Sequence, residues 1–191
     1  MNVSKTKELI FDYRKSSLRH VPLFINGSEV TIVNHFKYLG VVIDNNLTWS
    51  FHVNHIVSKC KQRLYFLRLL KSFNVSANVM VKFYSSLIES IICYNISVWG
   101  NSLNSCVQKK IERISKLASK VIGVSVPTMS CLYHKYVINK TKHILSDNNH
   151  VLAQCYVYMR SGRRLRSVSV RTQRCRGSFV PNSIILFNNC M

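Results

Sequence analysis

The stretch His35-Phe36-Lys37-Tyr38-Leu39-Gly40-Val41-Val42-Ile43-Asp44 divides this chain into two kinds of sequence. Aromatic and β-branched side chains on both sides of Gly40 suit a pleated, half-buried backbone. Gly40 within the run marks a bend or a close backbone approach. Asp44-Asn45-Asn46 then supplies turn chemistry, because short polar side chains bond to their own backbone and tolerate left-handed φ. Before this stretch the pattern is that of strands; after it, that of helices. The expected fold class is therefore α+β: a small N-terminal antiparallel β-sheet, a mainly α-helical bundle and a basic C-terminal tail.

Residues 8–13 and Val21-Pro22-Leu23-Phe24-Ile25 are the first strand candidates, separated by a basic loop at 14–20. Asn26-Gly27 is a strong hairpin signal, and Glu29-Val30-Thr31-Ile32-Val33 returns from it. The fourth strand is 35–43. Few short strands bury little area, so this sheet needs something to pack on.

Thr48 or Ser50 can cap a first helix, with Val53, Ile56, Val57, Cys60, Leu64, Leu67 and Leu70 on one stripe. A second helix opens at Ser76, with Val75 and Met80 placed as a hydrophobic staple. Its residues 80–92 are apolar almost all round, which predicts a buried central helix. Ser105-x-x-Gln108 has the form of a capping box for a third helix, and Gly123 is its expected stop. Val107, Ile111, Ile114, Ala118 and Val121 form its stripe; Lys109, Lys110, Arg113, Lys116 and Lys120 cover the rest. A fourth helix is expected over 129–145, a fifth over 150–159, and a short apolar return over 179–187. The expected divisions are 1–47 (strands), 48–124 (helical bundle), 125–159 (additional helices) and 160–191 (Arg-rich tail).

The chain carries 27 Lys and Arg against 7 Asp and Glu, a formal charge of +20. Such an excess repels itself unless an anionic partner screens it, and nucleic acid is the expected one. Seven cysteines, none in a C-x-x-C pair, suggest reduced and mostly buried thiols in an intracellular protein. No apolar run is long enough to span a bilayer, and the first residues lack the form of a signal peptide.

Catalytic patterns are missing. Glu8, Asp12, Glu29, Asp44, Glu89, Glu112 and Asp147 share no spacing suited to holding Mg²⁺ or to acid–base work. His52-x-x-His55 with Cys60 could donate to a metal, but Cys60 lies on the apolar stripe and no fourth ligand suggests itself. No metal site and no cofactor are expected. Binding is better supported. Arg160, Arg163, Arg164, Arg166, Arg171, Arg174 and Arg176 fall close together, and Arg pairs with phosphate bidentately. Lys59, Lys61 and Arg63 on the first helix, with Lys109, Lys110 and Arg113 on the third, could track a phosphate backbone. A merely solvated basic surface is the alternative. Neither set reads base sequence.

Asn2-x-x-Lys5-Thr6-Lys7-Glu8-Leu9-Ile10-x-Asp12-Tyr13-Arg14, Phe36-Lys37-Tyr38-Leu39-Gly40-Val41-x-Ile43-Asp44 and Leu47-Thr48-Trp49 resemble, in order, the end of the palm in LINE-type (non-LTR) retrotransposon reverse transcriptases. Leu64-Tyr65-Phe66-Leu67-Arg68, Phe83-Tyr84-x-Ser86, Val98-Trp99-Gly100-Asn101 and Ser161-Gly162-Arg163-Arg164-x-Arg166-Ser167 resemble the thumb and downstream segment. The resemblance implies that Lys5 and Lys7 match the lysines of motif D, that Phe36, Lys37, Tyr38, Leu39 and Gly40 match the primer grip, and that the helices match the thumb that holds the template–primer duplex. It also implies that the family's metal-binding aspartates lie upstream of Asn2. The expectation is thus a non-catalytic part of such a polymerase, binding RNA–DNA or DNA duplex without sequence preference, with Mg²⁺ as cofactor only of the intact enzyme. Segments 98–102 and 109–123 are also similar to the N-terminal domain of the AlkB homologue eight type, whose oxygenase and methyltransferase residues are not found here. A small helical protein-interaction module is the remaining alternative.

Overall fold

The computed structural model describes residues 3–14 and 20–190. Residues 15–19 of the expected basic loop lie outside the described residues. The chain divides into two compact units, Met1–His55 and Ile56–Met191, and the boundary falls within one helix.

The first unit holds strands β1 (Lys7–Glu8), β2 (Phe24–Ile25), β3 (Ser28–Glu29), β4 (Thr31–Ile32), β5 (His35–Tyr38) and β6 (Val41–Asp44). They pair as three separate two-stranded ladders. β2–β3 is antiparallel, as expected; β5–β6 is an antiparallel pair where one strand was expected, and β1–β4 is parallel. Local chemistry explains why the strands are shorter than the sequence suggests. Asp12 bonds the backbone N–H and the guanidinium of Arg14, which diverts residues 9–14 from a ladder. Pro22 has no N–H to give to one. Val30 is buried, and its N–H donates to the Leu23 carbonyl (2.8 Å), which separates β3 from β4.

The Asn26-Gly27 turn forms as expected, with φ of 50° and 75°. The bend that Gly40 marks is a second tight turn, sharper than the sequence suggests. Leu39 (φ 45°) and Gly40 (φ 85°) fold the expected single strand 35–43 into a hairpin, with Tyr38 opposite Val41 and His35 opposite Asp44. Two consecutive positive φ values match the right-handed twist of the flanking strands. β6 is the buried side of this hairpin; β5 is exposed along its length.

The base of the hairpin is fixed by two buried polar groups. The Asp44 carboxylate accepts from the N–H of Asn46 (3.1 Å), Thr48 (3.1 Å) and Trp49 (3.0 Å) and from the Thr48 hydroxyl (3.2 Å). His52 Nδ1 accepts from the Val42 N–H at 3.3 Å. Helix α1 (Ser50–Ser72) starts here, and the Thr48 hydroxyl accepts from the Ser50 N–H.

The second unit contains most of α1, then α2 (Ala77–Tyr84), a π-helical turn at Ser85–Glu89, α3 (Ser90–Cys93), α4 (Ile96–Trp99), α5 (Ser105–Ile122), α6 (Met129–Ser146), α7 (Gln173–Arg176) and α8 (Phe179–Asn189). Ile56, Cys60, Leu64 and Leu67 of α1 are buried, as the stripe predicts. Met80, Tyr84, Ile88 and Ile92 are buried at four-residue spacing. In a regular α-helix that row would drift around the axis; the wider π turn slows the drift and keeps it facing inward. The second helix is nevertheless not buried all round, because Val79 and Leu87 are exposed.

α5 is capped by the Asn104 side chain, which accepts from the Val107 N–H at 2.8 Å. The expected capping box from Ser105 is displaced by one residue, and Gln108 donates to Glu112 instead. Gly123, at φ 84°, ends the helix as expected. α6 matches its expected span. The expected helix at 150–159 does not form: only Ala153–Cys155 turns, as a short 3-10 segment. Residues 157–166 instead fold back on themselves, with Tyr158 bridged to Leu165. The apolar return is the helix α8, which packs Ile184 and Phe187 with Ile144, Tyr156 and Leu165. All seven cysteines are free, but only Cys60 and Cys93 are buried, so the expectation of mostly buried thiols does not hold. No helix among the described residues is long and apolar enough to cross a membrane.

Candidate nucleic-acid interface

α5 is amphipathic by construction. Val107, Ile111, Ile114, Ala118 and Ile122 are buried on one side. At about 100° per residue, Lys109, Arg113, Lys116 and Lys120 form one row directly opposite. All four are exposed, and no carboxylate pairs with them among the described residues. Eleven residues separate the first from the last, which at 1.5 Å per residue is about 16 Å of helix. One strand of a duplex carries a phosphate about every 3.4 Å of axis, so this row matches the length of roughly four or five phosphates. Lys110 is exposed beside it. Glu112, at the border, is half-buried and bonded by Gln108 at 2.9 Å.

The Arg-rich segment is a folded element. Met159 N–H donates to Arg164 O (2.8 Å) and Arg166 N–H to Val157 O (2.7 Å), with Gly162 at φ 68° in the turn. Leu165 is buried between the exposed Arg164 and Arg166, following strand alternation. The Asn188 side chain clamps Leu165 from both ends. Its carbonyl accepts from the Leu165 N–H and its amide donates to the Leu165 carbonyl, both at 2.9 Å. Asn188 was not singled out in the sequence; a lone Asn near a helix end gives no such signal. Arg160, Arg163, Arg164 and Arg166 all reach solvent from this hairpin.

On α1, Lys59 and Lys61 are exposed. Arg63 is only half-exposed, and its Nη1 donates to the Leu87 carbonyl inside the π-helical turn. Its guanidinium therefore has a structural task as well.

In the first unit, Phe36, Lys37, Tyr38, Leu39 and Gly40 form one strand and the turn of the hairpin, and all are exposed. Leu39 sits at the tip in the left-handed region, where a leucine is strained by about 1–2 kcal/mol. Lys5 lies in a 3-10 turn (Val3–Lys5) and Lys7 in β1; both are exposed.

No group of three or more His, Cys, Asp or Glu able to hold a metal exists among the described residues. Three of the carboxylates are occupied elsewhere: Asp44 by the hairpin base, Glu112 by Gln108, and Asp12 by Arg14, which holds the Asp12 carboxyl well below the usual range. These residues do not fit a Mg²⁺ pair. Burial pushes His52 down to about 4, with His55 adding to the effect, so the ring is neutral and accepts through Nδ1. Burial pushes Cys60 and Cys93 up to about 11, which keeps both as inert thiols.

Residues 49–90 match the family described as "Alkylated DNA repair protein alkB homolog 8, N-terminal". That match lies on α1 to α3, not on the 98–123 segments that carry the resemblance by eye. The chain is 27% identical over 126 residues to the RNA-directed DNA polymerase from mobile element jockey of Drosophila funebris, covering 64% of this chain and 13% of that protein. It is 25% identical over 124 residues to the probable RNA-directed DNA polymerase from transposon X-element of Drosophila melanogaster, with the same coverage. A probable polymerase from transposon BS of Drosophila melanogaster is 27% identical over 107 residues, or 55% of this chain and 12% of that protein. The resemblance to retroelement polymerases is borne out by these matches, and the chain spans about an eighth of the length of these relatives. No solved structure matches.

Proposed function

We propose that the chain is a duplex-holding segment of a retroelement RNA-directed DNA polymerase. It binds template–primer duplex through phosphates, without reading base sequence, and does not polymerise on its own. The similarity to mobile-element polymerases supports the origin. The observation that carries the binding is the unpaired row Lys109, Arg113, Lys116 and Lys120 opposite the buried face of α5. The exposed arginines 163, 164 and 166 on an ordered hairpin add to it, because a fixed guanidinium loses less freedom on meeting a phosphate. Among the described residues the carboxylates do not group into a metal site, and no metal-dependent step is assigned to them.

The test is binding of the purified chain to RNA–DNA hybrids of unrelated sequence, followed by fluorescence anisotropy. Equal affinity for all sequences is expected. Changing Lys109, Arg113, Lys116 and Lys120 together to Ala should lower affinity for every hybrid alike. Strong selectivity for one sequence, or no loss in the variant, would overturn the reading.

The match over 49–90 supports a second reading, an accessory domain of an RNA-modifying enzyme. It requires a marked preference for folded stem-loop RNA over the hybrids. Equal or weaker binding to stem-loops removes it.

A further inference from the structure

We infer that the outward face of α1 is a stacking platform for an unpaired nucleic-acid strand. In the second unit this helix turns Ile56, Cys60, Leu64 and Leu67 inward. The opposite face is not the usual polar surface. It carries Tyr65 (61% exposed), Phe66 (52%) and Leu69 (40%), and Phe73 (70%) follows in the turn that ends the helix, its N–H still donating to the Leu69 carbonyl. At about 100° per residue these four fall within one arc of about 100°, centred opposite the buried seam. Single exposed aromatics are ordinary on a protein surface; a contiguous row of them marks a binding face.

The electrostatics select the occupant. α1 has no acidic residue in its 23 positions, and the exposed Lys61 and Arg68 lie along one border of the aromatic row. An apolar row flanked by cations alone suits a ligand that offers flat apolar faces and negative charge together. A nucleic-acid strand does so. In a duplex the base faces are already stacked on one another, and only edges and phosphates are presented. An unpaired strand leaves its base faces free for aromatic rings, and such stacking tolerates any base. From Tyr65 to the end of the helix at Ser72 the rise is about 10 Å, enough for roughly three stacked nucleotides at 3.4 Å each. The rings of Tyr65 and Phe66 meet edge to face, with centroids 5.5 Å apart. They therefore present two differently oriented surfaces, not one flat sheet.

This platform is distinct from the α5 row in both place and ligand. α5 presents cations and no exposed aromatic; α1 presents aromatics with a cationic border.

The test compares binding of fluorescein-labelled oligo(dT), an abasic strand of equal length and a blunt duplex to the full chain. Tyr65→Ala, Phe66→Ala and Phe73→Ala are each measured against wild type. Because these side chains are exposed, thermal melting should be unchanged, which confirms an intact fold. Each variant is expected to lose about tenfold in oligo(dT) affinity while duplex affinity stays within about twofold. The abasic strand should bind weakly to wild type and equally weakly to the variants. Phe66→Trp should retain affinity and show quenching of its fluorescence by oligo(dT). Unchanged oligo(dT) binding in all three variants overturns the proposal, as does an equal loss for strand and duplex. A dimer that Phe66→Ala disperses while oligo(dT) binding persists would reassign the face to self-association. Loss of duplex binding in the α5 variant has no bearing on this result, so the two proposals fail separately.

Discussion

In the first unit no strand is longer than four residues, and three ladders share the work of one sheet. Its order depends on a few polar contacts of defined geometry: four donors on one Asp44 carboxylate and one backbone N–H on His52. In the second unit the helices bury many large side chains, among them Tyr84, Ile88, Trp99, Ile111 and Ile144. Polar contacts such as the Asn188 clamp add direction to packing that already exists. The difference teaches where each unit is vulnerable. Loss of apolar volume should damage the helical unit most, and loss of a single charge or gain of a single proton the strand-rich one.

The largest effect should come from Trp99→Ala. Trp99 is fully buried and its Nε1–H donates to the Tyr94 carbonyl (3.0 Å), so truncation should cost about 3–5 kcal/mol in denaturant unfolding followed by helical circular dichroism. A loss below about 1 kcal/mol would mean that the helical core is not the main source of stability. Next is Asp44→Ala, which leaves the buried Trp49 N–H and the part-buried N–H groups of Asn46 and Thr48 without their acceptor. Each such group costs about 1–3 kcal/mol, enough to abolish amide-exchange protection of Val42 and Trp49. Protection in α5 and α6 should not change; if it falls equally, the two units do not respond separately.

A third effect is a pH dependence confined to the first unit. His52 falls from 6.5 to about 4 on folding, so the unfolded state takes up the proton first. Its neutral form thus stabilises fully above pH 6.5, and that stabilisation is lost as pH falls from 6.5 towards 4. At one pKa unit per 1.36 kcal/mol the loss reaches roughly 3 kcal/mol over the window. Exchange protection of the Val42 amide between these limits reads it directly, and His52→Phe should flatten the profile. The smallest effect is expected from Asn188→Ala, about 1 kcal/mol, because Leu165 remains buried by Ile184 and Phe187.

The same contrast decides what was legible in the sequence. The helices were readable because their apolar spacing reports burial: the stripes on α1 and α5 correspond to the seams observed, except that Ile122 and not Val121 closes the α5 seam. The Asn26-Gly27 turn was readable because both residues favour positive φ. At Leu39-Gly40 only a bend was readable, from Gly40; the full reversal was not, because leucine ordinarily avoids that region and the hairpin imposes it. Nor was the π-helical turn, which changes the pitch without changing the apolar pattern. The segment 150–159 has helical composition, yet the His150 ring accepts from the Leu152 N–H at 3.1 Å and Tyr156 is drawn towards Ser183. Local and tertiary bonds win over propensity there. For the binding surface, the sequence already placed Lys109, Lys110, Arg113, Lys116 and Lys120 together on the polar side of the third helix. Only the fold shows that Arg160, Arg163, Arg164 and Arg166 project from a clamped hairpin.

The central claim is that the α5 row binds phosphates. The most direct measurement is the salt dependence of RNA–DNA hybrid binding for the wild-type chain and for the variant with Lys109, Arg113, Lys116 and Lys120 changed to Ala. Each phosphate contact contributes about 0.9 to the slope of log affinity against log salt, so the variant's slope should be shallower by about 3–4. Parallel slopes for the two proteins would contradict the claim.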